Sequence, residues 1–313
     1  MTGKIILIII LSLAIFLLIL LSIIGIIVYK EFKKVFYRSE CKSLLDVDLT
    51  NTHYEKHLDK IRTNILELRD RPKQDIYIDN DNLKLHGSFY NNDSTNTVIM
   101  IHGYHAKSEN NFHASSKSFF NHGYNVLLID DRSHNESEGS YTTMGLREQY
   151  DVLKWINWVN ENTNTKNIVL YGVSMGAATV GYLANKLDNT NVRTIVMDCG
   201  FTSFYDEIFY NERNHKISFL VLFFMRLFAK MKFGIDIKNS TIDSLKDSKV
   251  PVYFIHGLED EMVPVEHTIS AYNVTLTEKR FHYVEGAGHT TSFLIDYDYL
   301  DQDLFLFINK YLR

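Results

Sequence analysis

A run of 24 residues without a charge lies close to the N-terminus, from Ile5 to Val28. As an α-helix it would extend about 36 Å, which is more than the ~30 Å hydrocarbon core of a bilayer. A secretory signal peptide has a shorter apolar stretch of about 7–15 residues that ends at a cleavage site of small residues. No such site follows Val28. The run therefore predicts a retained membrane-spanning helix, with residues 1–30 forming an anchor and its flank.

Charges around this run favour one orientation in a single-pass topology. One lysine precedes it, Lys4, and four basic residues follow it closely, Lys30, Lys33, Lys34 and Arg38. Basic residues stay preferentially on the cytoplasmic side, so the rest of the chain is expected there, although long domains can cross despite such charges. The outward orientation therefore stays open. Aromatic residues at the same end are expected to form a belt at the membrane interface: Tyr29, Phe32, Phe36 and Tyr37.

Composition limits what the remainder can be, which is about 280 residues, enough for one large domain or two small ones. The whole chain has a net charge of −5, and because its first 38 residues carry +4, the rest carries −9. Such an acidic domain argues against nucleic-acid binding, which needs a basic face. A hydrophobic content of 45% excludes disorder, and two cysteines, Cys41 and Cys199, do not make a disulfide framework.

Short apolar runs alternate with helical patterns from residue 75 onward. The central runs are almost continuous in Val, Ile and Leu, as in strands that are buried on both faces of a parallel sheet. This pattern predicts an α/β domain over residues 75–313, with a mostly parallel central sheet flanked by helices and an antiparallel start. Residues 31–74 are interpreted as a polar connector with a helix around 54–68. The predicted strands are 75–78, 83–90, 97–101, 125–129, 167–170, 193–197, 251–255 and 280–284.

An insertion at about residues 201–248 interrupts the alternation. It contains an apolar segment, residues 217–228, which includes one arginine and is too short to cross a bilayer. Two interpretations stay open for this segment. It is either a helix that covers the sheet or an apolar lid over an active site that touches the membrane surface.

The most informative motif is Gly-Val-Ser-Met-Gly at residues 172–176, between a predicted strand and a predicted helix. A tight strand-to-helix turn exposes the serine, and the flanking glycines relieve crowding. A serine hydroxyl is a weak nucleophile unless a base and an oxyanion site support it. The context predicts Ser174 as the nucleophile, and a structural turn with an incidental serine is the alternative.

Two backbone N–H groups are predicted to hold the oxyanion that forms when a serine attacks a carbonyl. One is that of Met175, at the N-terminus of the predicted helix, where the helix dipole favours negative charge. The second is expected from a loop after an earlier central strand. The sequence His102-Gly103-Tyr104 fits this position, so the N–H of Tyr104 is predicted as the second donor.

A base and an orienting acid are predicted in the last two loops of the sheet. His289 lies in a glycine-rich loop after the final predicted strand, and Asp260 follows the preceding one. In this arrangement the imidazole takes the serine proton and the carboxylate fixes its tautomer. Asp198, which also ends a predicted strand, is the second candidate for the acid, and Glu259 and Glu261 compete with both.

Together these motifs resemble an α/β-hydrolase of the bacterial serine-hydrolase type, which includes esterases, monoacylglycerol-lipase-like enzymes and serine-aminopeptidase-like members. The resemblance covers residues 75–313 and rests on residues 102–104, 172–176, 256–264 and 288–289. The segment 131–139 is similar to a structural loop of the family, but Ser133 and Asn135 stand where glycine is usual. The resemblance implies the α/β-hydrolase fold with a helical lid, an acyl-serine intermediate and no cofactor.

The sequence thus predicts a membrane-anchored serine hydrolase that cleaves carboxylic esters of small acyl or lipid-like substrates. A serine peptidase or an acyl-protein thioesterase would use the same residues, and a catalytically silent, membrane-tethered binding module is the alternative from another class. The sequence has neither a zinc-protease His-Glu-x-x-His motif nor a phosphate-binding glycine loop, so neither a metal site nor a nucleotide partner is expected.

Overall fold

One sheet of eight strands forms the centre of the protein in a computed structural model, which describes residues 2–212 and 218–313. Its strands are β1 Gln74–Asn80, β2 Leu83–Tyr90, β3 Asn96–Ile101, β4 Asn125–Ile129, β5 Asn167–Val173, β6 Val192–Asp198, β7 Val252–Gly257 and β8 Lys279–Val284. They are ordered β1-β2-β4-β3-β5-β6-β7-β8. β2 is antiparallel to both β1 and β4, and the strands from β4 to β8 are parallel. The predicted α/β class and its antiparallel start are confirmed.

Helices cover both faces of this sheet. They are α1 Thr2–Phe36, α2 Leu58–Arg69, α3 Ser108–Phe112, α4 Ser115–Asn121, α5 Glu148–Asn162, α6 Met175–Leu183, α7 Phe204–Glu212, α8 Ser218–Phe233, α9 Thr241–Lys246, α10 Val265–Val274, α11 Ser292–Ile295 and α12 Tyr297–Ile308. On one face the sheet packs against α3, α4 and α12, and on the other against α5, α6, α9 and α10. The parallel strands are therefore buried on both sides, which explains their continuous apolar sequences.

Strand β3 shows how the sequence produces these two cores. Val98 and Met100 point into the core with α4 and α12, whereas Ile99 and Ile101 point into the core with α5 and α6. All four side chains are fully buried. Successive side chains of a strand face opposite sides, so an unbroken apolar run supplies both cores at once.

The N-terminal helix α1 extends further than expected. It has 35 residues, about 52 Å in length, and it is long and apolar enough to cross a membrane. Its first part, including residues 5–20, is exposed throughout, whereas Phe32 and Phe36 are 0% exposed. The last turns of α1, which follow the predicted anchor boundary at residue 30, therefore pack inside the fold.

The predicted aromatic belt is wrong for two of its members. Phe32 packs on Phe228 and Phe233, with ring centroids 5.8 and 5.4 Å apart, and Phe36 packs on Phe204 at 5.6 Å. These rings belong to an apolar cluster that joins α1 and α8 to residues of α6, among them Met175. Burial against another helix, and not a lipid interface, accounts for these two phenylalanines.

The connector after α1 packs on the main domain. Its predicted helix is realised as α2, preceded by a short 3₁₀ turn at Glu55–His57. Ile61 and Ile65 of α2 are buried together with Leu294 of α11. The segment therefore contributes apolar surface next to the last loops of the sheet.

The insertion is helical, as predicted, and contains α7, α8 and α9. Residues 213–217, which include the start of the predicted apolar segment, lie outside the described residues. Met225 and Ala229 of α8 are buried in one apolar cluster with Val28 of α1 and Met175 of α6. In the part of the chain that the structure describes, α8 is thus a partner of α1 and does not cover the centre of the sheet.

Candidate active site

Ser174 stands in a strained turn between β5 and α6. Its backbone has φ 55° and ψ −114°, a conformation that costs about 1–3 kcal/mol for a residue other than glycine. A Cβ on Gly172 would lie 2.2 Å from the carbonyl oxygen of Gly176, and a Cβ on Gly176 would lie 1.9 Å from that of Ile101. Both glycines are required because the turn presses its backbone against itself and against β3.

The turn is held in place from the neighbouring strand. The N–H of Ser174 donates to the carbonyl of Asp198 at 2.8 Å. With this bond made, the hydroxyl projects from the carboxyl end of the sheet, where the loops after parallel strands meet.

His289 joins Ser174 to Asp260. Its Nε2 lies 2.9 Å from Ser174 Oγ, and its Nδ1 lies 2.7 Å from Asp260 Oδ2. Because a carboxylate only accepts hydrogen bonds, Nδ1 carries the proton and Nε2 accepts from the hydroxyl. The structure therefore brings together the three residues that the sequence singled out, in the order of nucleophile, base and acid.

Asp260 is held as an anion. Its side chain is 0% exposed, and its Oδ1 accepts from the N–H groups of Met262 and Val263, each at 2.9 Å. Burial alone would raise the pKa of this carboxyl, but hydrogen bonds from His256 and His289 and the N–H of Val263 outweigh it and lower the pKa. A charged carboxylate in this position stabilises the imidazolium that forms when His289 takes a proton.

The other acids do not reach His289. Asp198 ends β6, is 3% exposed, and its Oδ2 accepts from the Tyr171 hydroxyl at 3.1 Å. Glu259 and Glu261 lie on either side of Asp260 in the loop after β7, where only Asp260 hydrogen-bonds the imidazole. Among the described residues, Asp260 is thus the carboxylate that contacts the base.

Asp198 is expected to affect the pH dependence of the free energy of unfolding. Burial is the main cause that raises its pKa to about 6. In the unfolded chain the carboxyl ionises near pH 4, so between about pH 4 and 6 the folded state holds the extra proton and stability falls as pH rises. We expect Asp198→Asn to remove this decline and to raise the free energy of unfolding at pH 7.5 by up to about 3 kcal/mol.

Urea unfolding of the full chain in mild detergent, followed by fluorescence from pH 4.5 to 8, measures this difference. Asparagine keeps an acceptor for Tyr171, so the comparison isolates the charge. Parallel pH profiles for the parent and the variant would contradict the raised pKa of Asp198.

The loop after β3 lies beside the serine. A Cβ on Gly103 would lie 3.3 Å from Ser174 Cβ, and the N–H of Gly103 donates to Asn111 Oδ1 at 2.8 Å. The next N–H along the chain is that of Tyr104. Neither this N–H nor that of Met175 donates a hydrogen bond within residues 2–212 and 218–313. Both predicted oxyanion donors are thus near Ser174 and unengaged.

His102 stabilises this loop from inside. Its Nδ1–H donates to the carbonyl of Gly103 at 2.7 Å, and its Nε2 accepts from the N–H of Asp131 at 3.1 Å. Complete burial lowers the pKa of His102, so its ring is neutral. These bonds give the histidine a structural role at the turn.

One cluster has the composition of a metal site: Cys199, Asp260 and His289 place ligand atoms within 4.8 Å of one another. Burial raises the pKa of the Cys199 thiol well above its usual range, and a neutral thiol is a poor ligand. Asp260 and His289 are instead hydrogen-bonded to each other, and His289 is hydrogen-bonded to Ser174. These contacts favour a role beside the serine over metal binding.

In the segment 131–139, two residues adopt left-handed backbone conformations at positions where glycine is usual in α/β-hydrolases of the type that the sequence resembles. Ser133 has φ 64° and Asn135 has φ 43°. A Cβ on Gly139 would lie 2.9 Å from the N of Ser133, so this loop is folded tightly on itself. The guanidinium of Arg38, just after α1, donates to the carbonyls of Ser137 and Asn135. The backbone conformation is kept although the glycines are absent.

The last turn of α1 directly contacts the loop after β3, residues 102–104, which carries the predicted oxyanion donor Tyr104 and is called the oxyanion loop below. The hydroxyl of Tyr104 donates to the carbonyl of Val35 at 2.8 Å and lies 3.3 Å from that of Lys34. The carbonyl of Phe36 also accepts from the N–H of Thr142 at 2.8 Å. The end of α1 is therefore part of the wall next to the site.

Sequence reasoning missed three supporting residues. The Nε2–H of His53 donates to the carbonyl of His289 at 3.0 Å, and the Tyr54 hydroxyl is hydrogen-bonded to Thr290 Oγ1 at 2.7 Å. His256, four residues before Asp260, places its Nε2 3.4 Å from Asp260 Oδ2. Of these three residues, only His256 could have been identified from the sequence, because it lies at the end of β7 in the same motif as Asp260.

A family model described as X-Pro dipeptidyl-peptidase (S15 family) matches residues 90–228. This range contains the oxyanion loop, the Ser174 turn and most of α8.

Two curated relatives are similar in sequence. The uncharacterized protein YqkD of Bacillus subtilis is 28% identical over 205 residues, which are 64% of this chain and 67% of that protein. The lysophosphatidylserine lipase ABHD12 of Rattus norvegicus is 22% identical over 164 residues, which are 51% of this chain and 40% of that protein. The aligned region thus spans about two thirds of the first relative and less than half of the second.

Among solved structures, the esterase Pf2001 of Pyrococcus furiosus has a TM-score of 0.66 and 20% sequence identity. The alignment covers 88% of this chain and 99% of the esterase. At this level of identity the likeness concerns the fold.

Proposed function

We propose that this chain, which has the α/β-hydrolase fold, is a serine hydrolase that cleaves carboxylic esters of acyl or lipid-like substrates through an acyl-serine intermediate. The observation that carries the proposal is the unbroken chain of hydrogen bonds from Ser174 Oγ through His289 to Asp260. It couples a nucleophile to a base of defined tautomer next to two unengaged N–H donors.

The reaction has two halves. Ser174 Oγ attacks the ester carbonyl while His289 Nε2 takes its proton, and the N–H groups of Tyr104 and Met175 hold the oxyanion of the tetrahedral intermediate. The intermediate collapses to an acyl-serine as His289 returns the proton to the leaving alcohol. Water, deprotonated by His289, then attacks the acyl-serine. As the bond from the acyl carbon to Ser174 Oγ breaks, His289 returns this proton to Oγ and the carboxylic acid is released. Each proton that His289 receives is passed on, so the site is restored without a cofactor.

Two features support an acyl or lipid-like substrate. The helix α1, whose apolar exposed part is long enough to cross a bilayer, ends beside the oxyanion loop at Tyr104. The neighbouring α8 exposes large apolar side chains, among them Phe219 at 73%. A site bounded by such elements lies close to a lipid surface. We therefore place the protein in a membrane as a single-pass protein, and the excess of basic residues after the apolar run supports a cytoplasmic domain.

The test is an acyl-chain profile of the full-length protein in mild detergent. We expect labelling by a fluorophosphonate probe and turnover of p-nitrophenyl esters that rises with chain length. Each buried CH₂ contributes about 0.8 kcal/mol, so four more buried methylenes raise kcat/KM by up to about two orders of magnitude.

Four outcomes would contradict this proposal. A folded protein that takes no label would support the silent binding module, and a steep preference for acetate would oppose a lipid-like substrate. Hydrolysis of aminoacyl-prolyl amides without ester turnover would favour a peptidase, the candidate that the family match over residues 90–228 supports. Faster cleavage of an acyl thioester than of the matching oxygen ester would favour a thioesterase.

A further inference from the structure

A groove of about 1010 Å³ lies between α1 and α8, away from Ser174. Its floor and walls are apolar, and its lining includes Leu21, Gly25, Phe223, Phe224 and Phe228. The two helices approach closely at Gly25, where an added Cβ would lie 3.3 Å from the ring of Phe224. The groove is the open space beside this contact.

The rim of this groove is basic. Lys30, Lys33 and Lys232 line it, and among the described residues that line it there is no carboxylate. The nearby acid Glu31 pairs with Lys34 at 2.7 Å, and Arg226 of α8 pairs with Asp236. The three lysines therefore present positive charge on a domain that is otherwise acidic.

The height of the groove along α1 matches a membrane boundary. Lys30 is five positions after Gly25, so the backbone at Gly25 lies about 7.5 Å below the backbone of the first rim lysine along the helix axis. Helices that rest in a membrane interface bury their apolar face by about 5–10 Å. Phe223 and Met231 are 52% and 75% exposed. The depth of the groove and the exposure of these two side chains fit a position in which the apolar part contacts acyl chains and the lysines contact lipid headgroups.

From these observations we propose that the groove between α1 and α8 binds an anionic phospholipid of the leaflet in which α1 ends. One acyl chain lies along Gly25, Phe224 and Phe228, and the phosphate meets Lys30, Lys33 and Lys232. The inference rests on the membrane insertion in the proposed function, but it needs no ester hydrolysis. In this proposal, α8 holds the insertion at the lipid surface through the bound phospholipid.

The test uses the full-length chain with Phe223→Trp, reconstituted in phosphatidylcholine vesicles. A small fraction of the lipid carries bromine in its acyl chains, either as phosphatidylcholine or as phosphatidylglycerol. We expect brominated lipid to quench the new tryptophan, and brominated phosphatidylglycerol to quench it at least about threefold more at equal mole fraction. The parent chain supplies the background from Trp155 and Trp158, and Met231→Trp serves if Phe223→Trp does not fold.

Matched variants separate the parts of this inference. The triple change Lys30→Gln, Lys33→Gln and Lys232→Gln should abolish the preference for phosphatidylglycerol, whereas Lys34→Gln should keep it. Leu306→Trp, on the exposed side of α12, should not be quenched.

Equal quenching by both lipids would overturn the anionic site, and no quenching at Phe223→Trp in a chain that resists carbonate extraction would overturn the groove as a lipid site. Extraction by carbonate would overturn the membrane anchor as well. Ester turnover, measured on the same vesicles, reports independently on the hydrolase.

Discussion

Replacing Ser174 by alanine should lower kcat/KM for p-nitrophenyl esters by about six orders of magnitude, the size of loss seen when a triad nucleophile is removed. Alanine keeps the Cβ and accepts the same strained backbone, so the turn between β5 and α6 should survive. The hydrogen bond from Oγ to His289 Nε2 is lost, and with it the nucleophile. Steady-state kinetics together with fluorophosphonate labelling measure the effect.

Because the residues act as one unit, their losses should not add. His289→Ala alone, and the double variant Ser174→Ala with His289→Ala, are each expected to fall to about the same residual rate as Ser174→Ala. Unfolding curves establish that the variants are folded. A Ser174→Ala protein that still takes the covalent label would assign the nucleophile to another residue.

Asp260→Asn should lower kcat by about four orders of magnitude while leaving the fold intact. An amide can still accept from the N–H groups of Met262 and Val263, so the loop after β7 should hold its shape. The amide has no charge to stabilise an imidazolium, and its NH₂ group can favour the wrong tautomer of His289. The loss should therefore fall on kcat far more than on KM.

Asp198→Asn is the matched control, since it makes the same chemical change at the end of the neighbouring strand. Asp198 bonds Tyr171 and not His289, so its variant should retain activity within about tenfold of the parent. If Asp198→Asn lost four orders of magnitude and Asp260→Asn did not, the roles of the two carboxylates would be reversed.

The strands of the sheet could be predicted because their burial determines their local sequence pattern. Strands such as β3 and β4 are buried on both faces, which demands continuous apolar residues that stand out from the helices between them. All eight predicted strands are present, with ends displaced by three residues or fewer. One displaced end is that of β5, where the strand continues through Tyr171 and Gly172 to Val173, next to Ser174. Glycine and polar side chains interrupt the apolar pattern there, so the pattern alone does not reveal the end of the strand.

The candidate site was predictable for a related reason. Ser174, Asp260 and His289 each follow the carboxyl end of a strand, and parallel strands bring these ends to one edge of the sheet. The support of the site was not predictable. His53 bonds the carbonyl of a residue 236 positions away, and nothing in the connector sequence signals this partner.

Phe32 and Phe36 show a second limit of the sequence. Aromatic residues among lysines, next to an apolar run, are typical of a membrane interface. The same spacing of four residues also places both rings on one face of a helix, where they meet Phe228 and Phe233 of α8. Only the position of α8, which the sequence leaves open, decides between the two environments.

The last turns of α1 enter the fold as a continuous helix, and Tyr104 is hydrogen-bonded to its final carbonyls. No loop therefore separates the apolar segment from the domain, and Ser174 would stand at a constant height above the bilayer. A protein held in this way cannot search the surrounding solution. If α1 spans the membrane as proposed, the site would meet molecules that move by lateral diffusion in one leaflet, so its rate should follow the mole fraction of substrate in the membrane and not the bulk concentration.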